Sequence, residues 1–260
     1  MTGGRGVSLR REGGIAFVTM SNAQRLNAMT RAMWRELRAV FDSLRSLDDA
    51  GLRCVVVRGE GGAFCAGGDI SEYPSFRFEE ASLREFHENE VWAALQAMLD
   101  CPLPLVAQIE GACMGAGIEI ASCCDIRLAG ASARFGAPIA KLGFPMAPRE
   151  AALVQGAIGD VLARDMLLAA GVHGAQRLYD AGFLLHVLPD NEVPAAVQAH
   201  AARIAALAPQ AARLNKRTFS ALKAGGPAAQ DLLATAYGYA DAAEHREGIA
   251  AFLAKRTPNF

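Results

Sequence analysis

The chain has 260 residues, 52% hydrophobic and 20% charged, which is enough apolar material for a sizeable core and too much for a disordered chain. Its 26 lysines and arginines stand against 27 acids, a formal charge of −1, so there is no global electrostatic case for nucleic acid or an anionic membrane as partner. Six cysteines without paired CxxC spacing argue against a zinc site and for a reduced chain.

No apolar run approaches the ~20 residues that span a bilayer. The first eight residues are too short and too glycine-rich for a signal peptide. The expectation is a cytoplasmic protein, with a processed organellar chain as the alternative.

Val7 to Arg10 and Ile15 to Met20, separated by Glu12-Gly13-Gly14, read as a hairpin. Thr30 is a plausible N-cap for a helix carrying Met33, Leu37, Phe41 and Leu44 on one face. Leu52 to Val57 is an unbroken apolar run, as expected of a strand covered on both faces. It ends in the glycine-rich stretch Gly59 to Gly68. Ser71 to Phe78 mixes proline, serine and aromatics and reads as a mobile loop, followed by a helix from Ser82 to Leu99 that Cys101-Pro102 stops.

Pro104 to Ala129 is the central unit. Leu105 to Ile109 is a buried strand, Gly111 to Gly117 a small-residue turn, a short helix opens near Ala116, and Asp125 to Ala129 is a second strand. Strand, helix and strand in this order need crossover connections, the mark of an α/β protein. Helices follow at Arg149 to Ile158 and Val161 to Ala170, then a helix from Ala175 to Ala181 and a last strand from Leu184 to Leu188. From Val193 the chain becomes alanine-rich and helical, broken at Pro209 and Gly225-Gly226-Pro227. The expected division is therefore a core over 1–192 and a helical region over 193–260. The final helix, Ala240 to Lys255, carries Ile249, Phe252 and Leu253 on one side and needs another surface to cover them.

Two glycine-rich loops each follow an apolar strand, one ending at Gly68 and one at Gly117. Either alone reads as a tight turn in a parallel-sheet protein. Together they suggest two main-chain N–H donors converging on one oxygen, an arrangement that stabilises an oxyanion. Glu119 sits in an otherwise apolar helix just after the second loop, where burial would raise a carboxyl pKa toward the acid–base range. The alternative is an acid that merely compensates a helix dipole.

FCAGGDI at Phe64 to Ile70, GACMGAGIEIASCCDIRLA at Gly111 to Ala129 and FGAPIAKLGFPM at Phe135 to Met146 resemble the crotonase superfamily, the enoyl-CoA hydratases/isomerases. The resemblance runs from SNAQRLNAMT at Ser21 to EGIAAFLAKRTPNF at the end, essentially the whole chain. It implies a crotonase-like ββα spiral core with a C-terminal helical oligomerisation region, assembled as a homotrimer or a dimer of trimers. It further implies an acyl-CoA thioester as substrate, coenzyme A entering as part of it and no separate cofactor or metal. By position, the oxyanion donors are Gly68 and Ala116, and Glu119 matches the first catalytic glutamate of the hydratases. Arg25, Leu26, Ala66, Gly67 and Lys255 fall where the family meets the coenzyme A portion, while Asp69 matches a motif acid of structural character.

The match breaks at one place. The second hydratase glutamate falls on Ile139, and an aspartate used by dienoyl isomerases falls on Ala147; neither can transfer a proton. Glu150 reads as a solvated first-turn acid paired with Arg149, and His87 and Glu90 as surface residues of the helix after the loop that could reach a pocket. Hydration of a 2-enoyl-CoA is the leading expectation, other enolate chemistry the next, and a thioester-binding protein with lost activity the reading from a different class.

Overall fold

The computed structural model describes residues 4–45 and 51–260. Strand β1 (Gly6–Glu12) turns back antiparallel into β2 (Ile15–Ser21), the hairpin expected around Glu12-Gly13-Gly14. Helix α1 (Arg31–Ser43) starts at Thr30, whose hydroxyl accepts the Met33 N–H at 3.1 Å, and buries Met33, Trp34, Leu37 and Phe41. Strand β3 (Cys54–Gly59) leads into the first glycine-rich loop.

The stretch read as a mobile loop is instead ordered as a 3-10 helix over Ile70–Ser75. Asp69 caps it, accepting the Ser71 amide at 3.2 Å and the Ser71 hydroxyl at 2.6 Å. The helix expected from Ser82 runs as α2 (Glu80–Glu85), a π-helical turn over Phe86–Val91, and α3 (Trp92–Leu99). Such turns arise where one extra residue is accommodated and are common at functional sites.

Strand β4 (Leu105–Ile109), β5 (Ala112–Met114), α4 (Ala116–Cys123) and β6 (Ile126–Gly130) form the central unit. Then come β7 (Arg134–Gly136), α5 (Pro148–Ile158), α6 (Asp160–Leu168), β8 (Val172–Gly174), α7 (Ala175–Asp180) and β9 (His186–Leu188). The chain ends in α8 (Val193–Ala205), α9 (Pro209–Ala224), α10 (Gly226–Thr235) and α11 (Ala243–Leu253).

The main sheet has the order β1-β2-β3-β4-β6-β9, parallel from β2 onward. Side chains alternate between its faces. Val55, Val57, Leu105, Ala107 and Ile109 point toward the helices α1, α3 and α4, whereas Cys54, Val56, Val106 and Leu128 meet Val193, Val197 and Ala201 of α8. This double burial is why the strands are apolar runs. The expected division at residue 193 falls at the start of α8, and α8 itself closes the second face of the sheet.

A second, three-stranded sheet, β5-β7-β8, was not expected, because strands of three residues are too short to carry an alternation. It matters because it holds the two glycine loops together. Cys65 bridges Cys113 in β5, with the Cys65 N–H on the Ala112 carbonyl and the Met114 N–H on the Cys65 carbonyl, both at 2.8 Å. All six cysteines are free and buried. No helix among the described residues is long and apolar enough to cross a membrane.

Candidate active site

The loop after β3 is fixed from both sides. The Ala66 N–H donates to the Leu26 carbonyl at 2.9 Å, the Met29 N–H to the Gly67 carbonyl at 2.7 Å, and the Asp69 N–H to the Met29 carbonyl at 2.8 Å. The strap that makes these bonds, Leu26 to Met29, turns through left-handed Leu26 and Asn27. Asn27 is wholly buried and donates to the carbonyls of Glu60 and Ala63 at 2.7 and 2.8 Å. The amides of Ala66 and Asp69 on either side are thus committed, whereas the Gly68 N–H has no hydrogen-bond acceptor among the described residues.

The second loop packs directly against the first. Gly117 has no room for a side chain: a Cβ there would stand 2.5 Å from the Cys65 carbonyl oxygen. Gly115 takes a φ of +48°, and a Cβ on it would be 3.5 Å from the Gly67 Cα. Its N–H donates to the Gly136 carbonyl at 2.8 Å, which fixes the entry to α4. Ala116 is the first residue of α4, so its N–H has no intrahelical partner, and none among the other described residues accepts it.

Gly68, Ala116 and Glu119 line one cleft together with Ala66, Gly67 and Gly115. Its other walls are largely apolar: Trp34, Phe86, Met114, Ile139, Phe144 and Met146. Glu119 is half-buried in the cleft wall. Burial first, and the negative charge of Glu150 second, push its carboxyl up to about 8. At neutral pH it is a neutral acid poised close to ionisation.

Tyr73 comes from the segment that reads from sequence only as aromatic loop. Its hydroxyl stands beside Gly68, where an added Cβ would come within 2.2 Å of it. Burial raises the phenol, with the charges of Glu119 and Asp69 adding to the effect, while Arg77 opposes it. The Arg77 guanidinium lies 3.8 Å from the Phe144 ring centroid and 4.6 Å from that of Tyr73, on the cleft wall.

Ile139 and Ala147 both line the cleft and bring no charge to it. Glu150 is not the solvated acid expected from sequence. It is 2% exposed, and its Oε1 lies 3.2 Å from Nδ1 of His87, which lines the cleft. Arg149 turns away to Glu88, at 3.0 Å. The physical reason is the π turn, which carries His87 over the first turn of α5. Glu90, also on that turn, points elsewhere: Arg31 grips it at 2.6 and 2.9 Å and Arg35 at 3.0 Å, so it braces α1 against the turn.

Of the residues expected at the coenzyme A portion, Ala66 and Gly67 line the cleft, whereas Arg25, Leu26 and Lys255 do not. Leu26 is 53% exposed beside the loop it holds. Arg25 reaches Asp69 at 3.3 Å and Arg5 reaches it at 3.0 Å. Asp69 is buried, which alone would raise its carboxyl, but the two bonds from Ser71 and the charges of Arg25 and Arg5 outweigh this and hold it low. That matches a structural acid. Lys255 is exposed just beyond the end of α11.

Residues 10–260 match the family model for enoyl-CoA hydratase/isomerase. A probable enoyl-CoA hydratase from Rhodobacter capsulatus is 32% identical over 249 residues, 95% of this chain and 94% of that one. The 2,3-dehydroadipyl-CoA hydratase of Escherichia coli K12 is 32% identical over 252 residues, 95% of this chain and 94% of that one. Among solved structures, an enoyl-CoA hydratase/carnithine racemase from Magnetospirillum magneticum superposes with a TM-score of 0.93 at 36% identity, covering 98% of this chain and 94% of that one.

Proposed function

Because the chain belongs to the enoyl-CoA hydratase/isomerase family of the crotonase superfamily, we infer that it takes an acyl-CoA thioester and works through the thioester enolate, with hydration of a 2-enoyl-CoA as the best-matched reaction. The observation that carries this is the pair of main-chain N–H groups, at Gly68 and Ala116, left without acceptors in a cleft that also holds Glu119. Held by the surrounding bonds, such donors need no reorganisation as charge moves onto the thioester oxygen. Each is worth about 2.7–4 kcal/mol of transition-state stabilisation by comparison with other oxyanion sites. Glu119, neutral and close to its pKa, is the acid/base at the α-carbon.

Ala66, Gly67 and the Leu26 strap offer main chain to the adenine and pantetheine, and Arg25 and Lys255 are the cations for the phosphates. Coenzyme A enters as part of the substrate, and this reading needs no separate cofactor. Oligomerisation as a homotrimer or a dimer of trimers is supported by the side chains left open on the C-terminal helices: Phe252 and Leu253 are 82% and 76% exposed, and Phe219 is 71% exposed.

Turnover of a panel of 2-enoyl-, 3-enoyl- and 3-hydroxyacyl-CoA thioesters, beside the Glu119→Gln variant, tests the assignment. Unchanged turnover in that variant removes Glu119 from the mechanism. Ile139 and Ala147 favour one second reading, a protein that binds thioesters without converting them. That reading predicts acyl-CoA binding by calorimetry and no product from any member of the panel.

A further inference from the structure

The cleft lacks a carboxylate at Ile139, yet a second proton-transfer group stands in its wall. We propose that His87, oriented by Glu150, is the second proton carrier of this enzyme, taking the proton from the attacking water while Glu119 serves the α-carbon. This rests on the enolate reading above.

Three observations carry it. First, His87 lines the same cleft as Glu119, Gly68 and Ala116. Second, its Nδ1 faces a carboxylate oxygen at 3.2 Å. A carboxylate only accepts, so Nδ1 carries a proton, and in the neutral imidazole Nε2 then keeps its lone pair, turned away from Glu150. Nε2 has no hydrogen-bond partner among the described residues. Third, Glu150 is buried to 2% exposure at the start of α5, and His87 is the only side chain hydrogen-bonded to it among the described residues. Burying a carboxylate costs several kcal/mol unless it is paired, and this one is paired with an imidazole that opens onto the cleft. A carboxylate that fixes the tautomer and angle of a histidine base is a general device of acid–base sites. The π turn over Phe86–Val91 is what sets the ring at this place, since the irregular turn changes the direction of the side chains that follow it.

The step balances with water as the co-substrate. The water oxygen bonds to C3 as one of its protons passes to Nε2, and the C2=C3 electron pair moves to the thioester oxygen held by the N–H groups of Gly68 and Ala116. The enolate then collapses, and C2 takes the proton of the Glu119 carboxyl. Transfer of the imidazolium proton back to the Glu119 carboxylate, through solvent, restores both groups. His87 is the catalytic residue and Glu150 the positioning residue.

The test separates this inference from the reading it rests on, using crotonyl-CoA for hydration and butanoyl-CoA in D2O for α-proton exchange, which needs the oxyanion donors and Glu119 alone. His87→Asn keeps a donor toward Glu150 and removes only Nε2. It should lower kcat for hydration by ~10²-fold or more, leave KM within about twofold and leave exchange intact. Glu150→Gln should lower kcat in the same sense with KM unmoved. His87→Ala should regain hydration when imidazole is added, an effect that a purely structural role for the ring would not give.

Hydration unchanged in His87→Asn, exchange lost together with hydration, or no rescue by imidazole would each overturn the proposal. So would wild-type enzyme that exchanges the α-proton but hydrates no enoyl-CoA. Wild-type enzyme that does neither overturns the enolate reading itself.

Discussion

Glu150 bears on Glu119: its negative charge is the second cause, after burial, of the Glu119 carboxyl's rise to about 8. The two acids therefore have opposite tasks. Glu150 is paired with His87 at 3.2 Å, while Glu119 has no hydrogen-bond partner among the described residues and is held toward its neutral form.

A pH dependence of stability follows from Glu119. In the unfolded chain its pKa is the ordinary 4.5 and in the fold about 8, so between these values the folded state holds a proton that the unfolded state has lost. Stability from this group is complete below about pH 4.5 and is lost as pH rises through 8, on the order of 5 kcal/mol in all. Glu119→Gln, which cannot ionise, should gain on the wild type in Tm as pH is raised from 5 to 8.5 while losing turnover. A Tm difference that is flat across this range would show that Glu119 is not held neutral by the fold.

The main elements were legible because their physics is local. An apolar run such as Val55 to Val57 means a strand buried on both faces, and Thr30 ahead of Met33 and Leu37 means a capped amphipathic helix. That Gly68, Ala116 and Glu119 lie along one cleft could be anticipated from their order in the motif. The histidine pair could not. Glu150 next to Arg149 at a helix start looks like a solvated ion pair, and only the π turn, which has no sequence period of its own, brings His87 over it. Tyr73 was hidden for a related reason: a short 3-10 helix capped by Asp69 looks from sequence like any proline- and serine-containing loop.

Gly68 should tolerate a methyl group poorly for function and better for folding. An alanine Cβ would meet the Tyr73 hydroxyl at 2.2 Å, the far end of a side chain that can swing away. Gly68→Ala should keep its Tm within a few degrees while kcat falls, because the displaced phenol disturbs the space around the oxyanion donor. Equal losses of Tm and activity would mean that the phenol cannot move.

Gly117→Ala is the contrasting case. Its Cβ would come 2.5 Å from the Cys65 carbonyl oxygen, which is main chain held by the Met114 N–H at 2.8 Å. Backbone cannot step aside cheaply, and overpacking of this kind costs about 1–3 kcal/mol. Chemical denaturation should show that loss with an unchanged m-value, and the two glycine loops should part enough to reduce activity in the folded fraction.

The open C-terminal side chains give a prediction about assembly. Ile249, Phe252 and Leu253 on α11 are 55%, 82% and 76% exposed, with only Ala251 of that helix buried. A stripe of this kind in water lowers its free energy by meeting a second copy, at roughly 25 cal/mol per Å² of apolar surface covered. Light scattering should therefore give a trimer or its double for the wild type. Phe252→Glu with Leu253→Glu should release monomers, since two carboxylates facing a partner's apolar side would be buried without counter-charges. A wild type that stays monomeric at high concentration, or a double variant that assembles as before, would move the interface away from α11.

Ile139 offers the sharpest check on how the cleft divides its proton transfers. Ile139 lines the wall in place of an acid, so a carboxyl introduced there enters the same apolar space as Glu119. In a His87→Ala background, Ile139→Glu should restore part of the lost hydration, because a second proton acceptor returns to the cleft from another direction. In the wild-type background the same change should add little to kcat and lower Tm, since the new carboxyl must be buried near Glu119 and Glu150. A large gain in the wild type with no gain in the His87→Ala background would mean that the imidazole never carried the water's proton, and that the native cleft was simply short of one acid.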